Sequence, residues 1–135
     1  MNLFKDTVRN RSRGLCFIET GDNSAPLGIL LGNDLARRAS AHIDMPVVFG
    51  IRPENIRVIS GAADSPHPDA AQARVELSEP MGSETLLHLS TAATAFIARV
   101  PPTDWYAPGQ LVSVLFDGAR AHLFDGSTGS VIGST

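Results

Sequence analysis

The chain has few of the residues that catalysis, nucleic-acid binding or membrane insertion would require. Its 135 residues contain one cysteine, Cys16, which rules out an internal disulfide and suits a reducing compartment. "GLCFIET" alternates like a strand, so Cys16 reads as a packed strand residue rather than a nucleophile. With 11 basic against 14 acidic residues the formal net charge is −3, and a chain of that balance lacks the basic stripe that phosphate backbones need. The one basic cluster, Arg9, Arg11 and Arg13, reads as a solvated strand edge or turn. Aromatics make up only 6% of the chain. Trp105 and Tyr106 fall together in a loop beside Asp104 and Pro108, a packed loop anchor rather than a base-stacking platform. No nucleic-acid partner is expected. No apolar run approaches the roughly 20 residues of a membrane helix, and "MNLFKDTVRN" has no signal-peptide core, so no direct membrane insertion is expected.

The usual catalytic signatures are missing as well. Neither G-x-x-x-x-G-K-[ST] nor G-x-S-x-G occurs, so no phosphate-cradling loop or nucleophile elbow is expected. The 4 histidines, His42, His67, His88 and His122, are scattered, and His67 and Asp69 alone do not make a metal site. No catalytic residue, metal or cofactor is expected. His88 and His122 sit in strand patterns and read as partly packed strand residues.

What is present is a series of short apolar runs broken by Gly, Pro, Asn and Asp, the pattern of many short strands. The runs are 15–20, 27–31, 46–52, 55–60, 73–79, 84–90, 95–100, 111–116 and 121–124, followed by the apolar pair Val131 and Ile132. Residues 34–43 have some helical character, with Asp34 placed to cap it. Residues 61–72, rich in Ala, Asp and Pro, read as an exposed loop. "ARVELSE" alternates, putting Val75 and Leu77 on one face and Glu76 and Ser78 on the other. "EPMG" fits a type I turn with Pro80 second and Gly82 fourth. Asp117-Gly118 reads as a hairpin turn joining 111–116 to 121–124. "DGSTGS" reads as a further turn. In "FGIRPENIRV", Pro53 ends a strand because proline has no N–H to donate. An exposed Arg52–Glu54 ion pair would contribute about 0–1 kcal/mol. Short strands at roughly 8–12-residue spacing with little helix predict an all-β barrel or sandwich.

Four ordered stretches carry a resemblance. "MNLFKDTV" is similar to an M-N-x-x-x-G-x-V opening, with Asp6 in place of the glycine. "FGIRPENI" resembles a G-I-R-P-E motif, and "VELSEPMGSETLLHL" resembles V-E-x-x-G-x-E-T. "YAPGQLVSVLFDGARAHLFDGSTGSVI" resembles a G-x-x-V strand followed by H-L-F-D and a final T-G. Together they resemble the C-terminal OB-fold/TOBE regulatory domain of sugar-type (maltose- and glycerol-phosphate-like) ABC importer ATP-binding subunits, over nearly the whole chain.

The resemblance implies an all-β fold of small OB-fold/TOBE-like barrel lobes, with residues 1–135 as one regulatory domain of two intertwined lobes and no nucleotide-binding domain. Arg52-Pro53-Glu54 becomes a fixed strand-to-turn element where the lobes meet. It also implies a regulatory and dimerisation role in carbohydrate import, non-catalytic by itself. The implied partners are a second copy, the ATPase domain and membrane permease subunits, in the cytoplasm at the inner face of the membrane. Implied contact residues are Arg52, Glu54, Glu79, Gly82 and Glu84 in the first motifs, and Phe116, His122, Phe124 and Asp125 in the last. Gly82 also reads as a turn glycine, and Phe116 and Phe124 as core. The alternative is a small-oxyanion (molybdate-like) TOBE module with N–H and hydroxyl donors from 126–130 and 82–85.

Overall fold

A computed structural model describes residues 1–20, 27–59, 70–91 and 93–134. These form two antiparallel sheets and one short helix, the all-β architecture expected. The first sheet holds β1 (Asn2–Arg11), β2 (Gly14–Glu19), β3 (Leu27–Leu30) and β4 (Pro46–Ile51), with α1 (Asn33–Ala39) between the last two in sequence. The second is built from β5 (Ile56–Ile59), β6 (Ala71–Pro80), β7 (Thr85–Ser90), β8 (Ala95–Val100) and β9 (Leu111–Phe116). The chain then returns to the first sheet as β10 (His122–Asp125) and β11 (Val131–Ser134). The orders are β11-β10-β4-β1-β2-β3 and β5-β9-β6-β7-β8.

Strand alternation decides which side chains meet between the sheets. In β7, Thr85, Leu87 and Leu89 are buried while Leu86, His88 and Ser90 are half-buried. In β8, Phe96, Ala98 and Val100 point inward in the same way. From the first sheet come Phe4, Phe17, Phe49 and Leu123, all fully buried. Cys16 is buried in β2 as expected.

Side chains of β1 and β2 join the two sheets. Phe4 of β1 meets Phe49 of β4 at 6.2 Å, but also Phe96 of β8 at 5.3 Å and Phe116 of β9 at 5.6 Å. Asn2 completes the same seam: its amide donates to the Ile97 carbonyl at 2.7 Å and its oxygen accepts from the Ile97 N–H at 2.9 Å. The buried Glu19 carboxylate accepts from the hydroxyl of Thr91, at 2.6 Å, and from that of Thr94, so its lost hydration is replaced by polar partners from the β7–β8 turn. Asp6, where the resembling motif has glycine, accepts from the N–H and hydroxyl of Thr20 and so closes the end of β2.

Several local expectations are corrected. Asp34 lies in the first turn of α1 and pairs with Arg37 and Arg38, and the N-cap is Gly32. Leu77 does not share the inward face with Val75, because a bulge after Val75 shifts the register and leaves Leu77 52% exposed. The 79–82 turn lies further along. Pro80 still pairs with Thr85 in the ladder, and Met81 N–H donates to Glu84 C=O across a tip where Gly82 takes φ +92°. Tyr106 is the packed loop anchor expected, but Trp105 is 71% exposed. Ala71 and Gln72 belong to β6 rather than to the loop. His67 and Asp69 lie outside the described residues.

The largest correction concerns Asp117-Gly118. Segments 111–116 and 121–124 do not form a hairpin: β9 pairs with β5 and β6, whereas β10 pairs with β4 and β11. The dipeptide instead opens a 3₁₀ turn, Gly118–Arg120, that carries the chain from one sheet to the other. Asp117 accepts from Ala119 N–H to start it, and a β-carbon on Gly118 would lie 2.0 Å from the Leu30 carbonyl oxygen. Only glycine allows that approach.

Replacing Phe4 should loosen both sheets at once. Phe4→Ala is expected to lose about 3–5 kcal/mol in urea denaturation, the range for a fully buried aromatic. Leu3→Ala, at the adjacent half-exposed position, should lose much less. Equal losses would contradict the bridging role of Phe4.

Candidate functional site

The chain leaves the first sheet for the second at Arg52-Pro53-Glu54-Asn55. Arg52 is extended (φ −78°, ψ 149°), as a residue before proline must be, and Pro53 opens the 3₁₀ turn Pro53–Asn55, where its missing N–H is no loss. Asn55 N–H closes the turn on the Arg52 carbonyl at 3.0 Å. The return crossing, residues 117–121, runs alongside, and Asp117 N–H donates to the Asn55 carbonyl at 3.1 Å. The two crossings therefore brace each other.

Between them lies an open depression of about 360 Å³ lined by Arg52, Asn55, Ala119, Arg120 and His122. His122 is half-buried in β10, opposite Gly50 of β4. The Arg120 guanidinium shares the Asp117 carboxylate, Nε to Oδ2 3.3 Å. Arg52 is exposed and has no ion pair or side-chain hydrogen bond among the described residues. Arg52 and Glu54 do not pair with each other: Glu54 turns to Arg99 of β8, at 4.0 Å, and Arg99 also holds Glu84 at 2.9 Å. The first pair ties the crossing to β8 and the second ties β8 to the β6–β7 turn, at about 0–1 kcal/mol each for pairs open to solvent.

The nine candidate residues thus separate into several places. Arg52 and His122 meet in the depression, and Glu54 and Glu84 share Arg99. Glu79 lies 3.0 Å from His88, and Gly82 sits at the β6–β7 tip. Phe116 belongs to the aromatic seam. Phe124 shares the outer face of the first sheet with Lys5, Val48 and Val131 by register. Asp125 ends β10 and accepts from the N–H groups of Ser127, at 2.8 Å, and Thr128, at 3.0 Å, which forms the "DGSTGS" turn as expected. His42 stands 3.8 Å away. Asn55, Ala119, Arg120 and His42 were not singled out from sequence. Asn55 and Arg120 stand beside residues that were, but reading Asp117-Gly118 as a hairpin hid the crossing that joins them. Among the described residues no group of three or more His, Cys, Asp or Glu could hold a metal, and no helix is long and apolar enough to cross a membrane.

The family model described as TOBE domain matches residues 49–124. The chain belongs to the TOBE domain family. The match starts in β4 and ends in β10, so it takes in both crossings and the whole depression. This TOBE domain is 44% identical over 87 residues to the multiple sugar-binding transport ATP-binding protein MsmK of Streptococcus mutans, covering 64% of this chain and 23% of that protein. To the oligosaccharides import ATP-binding protein MsmX of Bacillus subtilis it is 30% identical over 128 residues, covering 95% of this chain and 33% of that protein. The TOBE domain thus spans about a quarter to a third of the length of these curated relatives. In fold it is similar to the molybdate-bound structure of the cytoplasmic molybdate-binding protein ModG, with a TM-score of 0.66 at 14% identity, covering 90% of this chain and 94% of that one. The architecture is the OB-fold/TOBE type that the four motifs implied.

Asp125 provides a pH test. The backbone N–H groups of Ser127 and then Thr128 hold its carboxyl below the usual aspartate range; loss of hydration opposes them, and His42 adds a lesser lowering. With the folded value below the unfolded one, the stabilisation is present above the unfolded value and lost as pH falls through the folded one. The stability gap between the wild type and Asp125→Asn, followed by urea denaturation, should narrow as pH falls below about 4, the ordinary aspartate value. A gap constant with pH would contradict this.

Proposed function

We propose that this TOBE domain is the regulatory and dimerisation part of an ATP-binding subunit in a carbohydrate-importing ABC transporter, and is not catalytic by itself. The observation carrying this reading is the 30% identity that runs over 95% of the chain to an oligosaccharide-import ATP-binding protein. Residues 1–135 act as one regulatory unit of two interlocked lobes. Its partners are a second copy, an ATPase domain and membrane permease subunits, at the cytoplasmic face of the membrane.

The fold supports a self-contact on the outer face of the first sheet. Register places Leu3, Gly50 and His122 in one row there, and Lys5, Val48, Phe124 and Val131 in the next. Leu3 is 50% and Val131 64% exposed, so apolar area remains for a partner to cover. Asp125, at the end of β10, would supply polar contact at its margin. Arg52, Glu54, Glu79, Gly82 and Glu84 are rim contacts in this reading, and Phe116 acts through the aromatic seam beneath.

The small-oxyanion alternative draws support from the likeness to ModG. Against it, the N–H groups of Ser127 and Thr128, which it would use, are already given to Asp125.

Sedimentation velocity over a concentration series tests the self-contact. The chain should form a concentration-dependent dimer, weakened by Phe124→Glu, His122→Ala and Asp125→Ala. A strict monomer at high concentration, or a dimer indifferent to all three changes, would overturn it.

A further inference from the structure

We propose that the depression between the two crossings is a binding site for a small phosphate monoester. Three features carry the inference, and none depends on the transporter reading. The first is charge: Arg52 and Arg120 both line the depression and, among the described residues, no carboxylate does. Asp117 stands behind Arg120, 3.3 Å from its Nε, and Arg52 has no ion pair among the described residues.

The second is the supply of donors. The side chains of Arg52, Asn55 and His122 form no hydrogen bond among the described residues. Two guanidinium forks, an amide and an imidazole offer more N–H groups than the two oxygens of a carboxylate can accept. A phosphate monoester presents three terminal oxygens in a tetrahedral arrangement, and arginine forks match them in pairs.

The third is shape and rigidity. At about 360 Å³ the depression is larger than a bare phosphate needs, and the uncharged surface of Ala119 gives an organic body a place to rest. The walls are held by backbone bonds: Asn55 N–H to Arg52 C=O, Asp117 N–H to Asn55 C=O and Arg120 N–H to Asp117 C=O. Gly118 is pressed against Leu30 beneath. Positions fixed in this way lose little freedom when a ligand binds. A ligand here touches both crossings at once, so its occupancy would register any change in how the sheets meet.

The test is a titration of ¹⁵N-labelled chain followed by amide shifts, with inorganic phosphate, glucose 6-phosphate and citrate as separate probes. Saturable shifts at 52, 54–55 and 119–122 are expected. Glucose 6-phosphate should bind more tightly than inorganic phosphate or citrate. Arg52→Ala and Arg120→Ala should each weaken it by about tenfold, the scale of one lost charge-assisted contact. Arg52→Gln and His122→Gln check the site with less change of shape, and each should also weaken binding. Arg74→Ala, which removes an exposed charge on β6, should leave it unchanged. The proposal is overturned if no saturable shifts occur there, if citrate binds as well as glucose 6-phosphate, or if Arg74→Ala weakens binding as much as Arg52→Ala. Tightest binding by inorganic phosphate alone would overturn the organic-ester assignment.

Discussion

Everything in this molecule depends on keeping two sheets in contact, and Phe4 is where they meet. Its ring touches β4 within its own sheet and both β8 and β9 across the seam. Aromatic pairs of this kind contribute about 0.5–1.5 kcal/mol each beyond the area they bury, but their placement matters more than their sum. Two residues before Phe4, Asn2 binds the Ile97 backbone from both sides and fixes how β1 lies along β8. A two-residue spacing on one strand thus gives an apolar contact and a polar register to the same seam, a physical reason for the Met-Asn opening.

The crossings inherit their geometry from that seam. A chain that passes from one sheet to the other and back needs two short connections at the same edge. Pro53 makes the outgoing turn and Gly118 lets the returning turn lie against β3. The single bond from Asp117 to Asn55 then locks one crossing to the other. The arginine just before one turn and the arginine at the end of the other are brought together by the topology, 68 positions apart in sequence. The charge in the depression is therefore a product of the fold, in a chain whose formal net charge is −3.

Much of the fold was legible in the sequence. Short apolar runs gave the strands from β2 onward but not β1, Pro53 marked the end of β4, and the four motifs led to the TOBE family and the OB-fold/TOBE type. Where reading failed, a tertiary contact had overridden a local signal. Asp117-Gly118 has hairpin chemistry, but glycine is needed there for the approach to Leu30. Leu77 obeys the alternation of its strand until a bulge turns it to solvent. Asp34 has a capping side chain but lies inside the first turn, where two arginines hold it. The candidate site was half legible. Arg52 and His122 stood out as contact candidates, whereas Asn55 and Arg120 become partners of these only once the two crossings are known to be adjacent.

The most direct test of the importer reading is a transport measurement with a chimera. The segment of Bacillus subtilis MsmX that corresponds to this chain would be replaced by residues 1–135, and oligosaccharide-dependent growth measured in a strain lacking its own MsmX. The account predicts that the chimera restores growth where MsmX truncated before that segment does not. A chimera that is present at normal level, binds and hydrolyses ATP, and yet supports no more uptake than the truncated protein would contradict it.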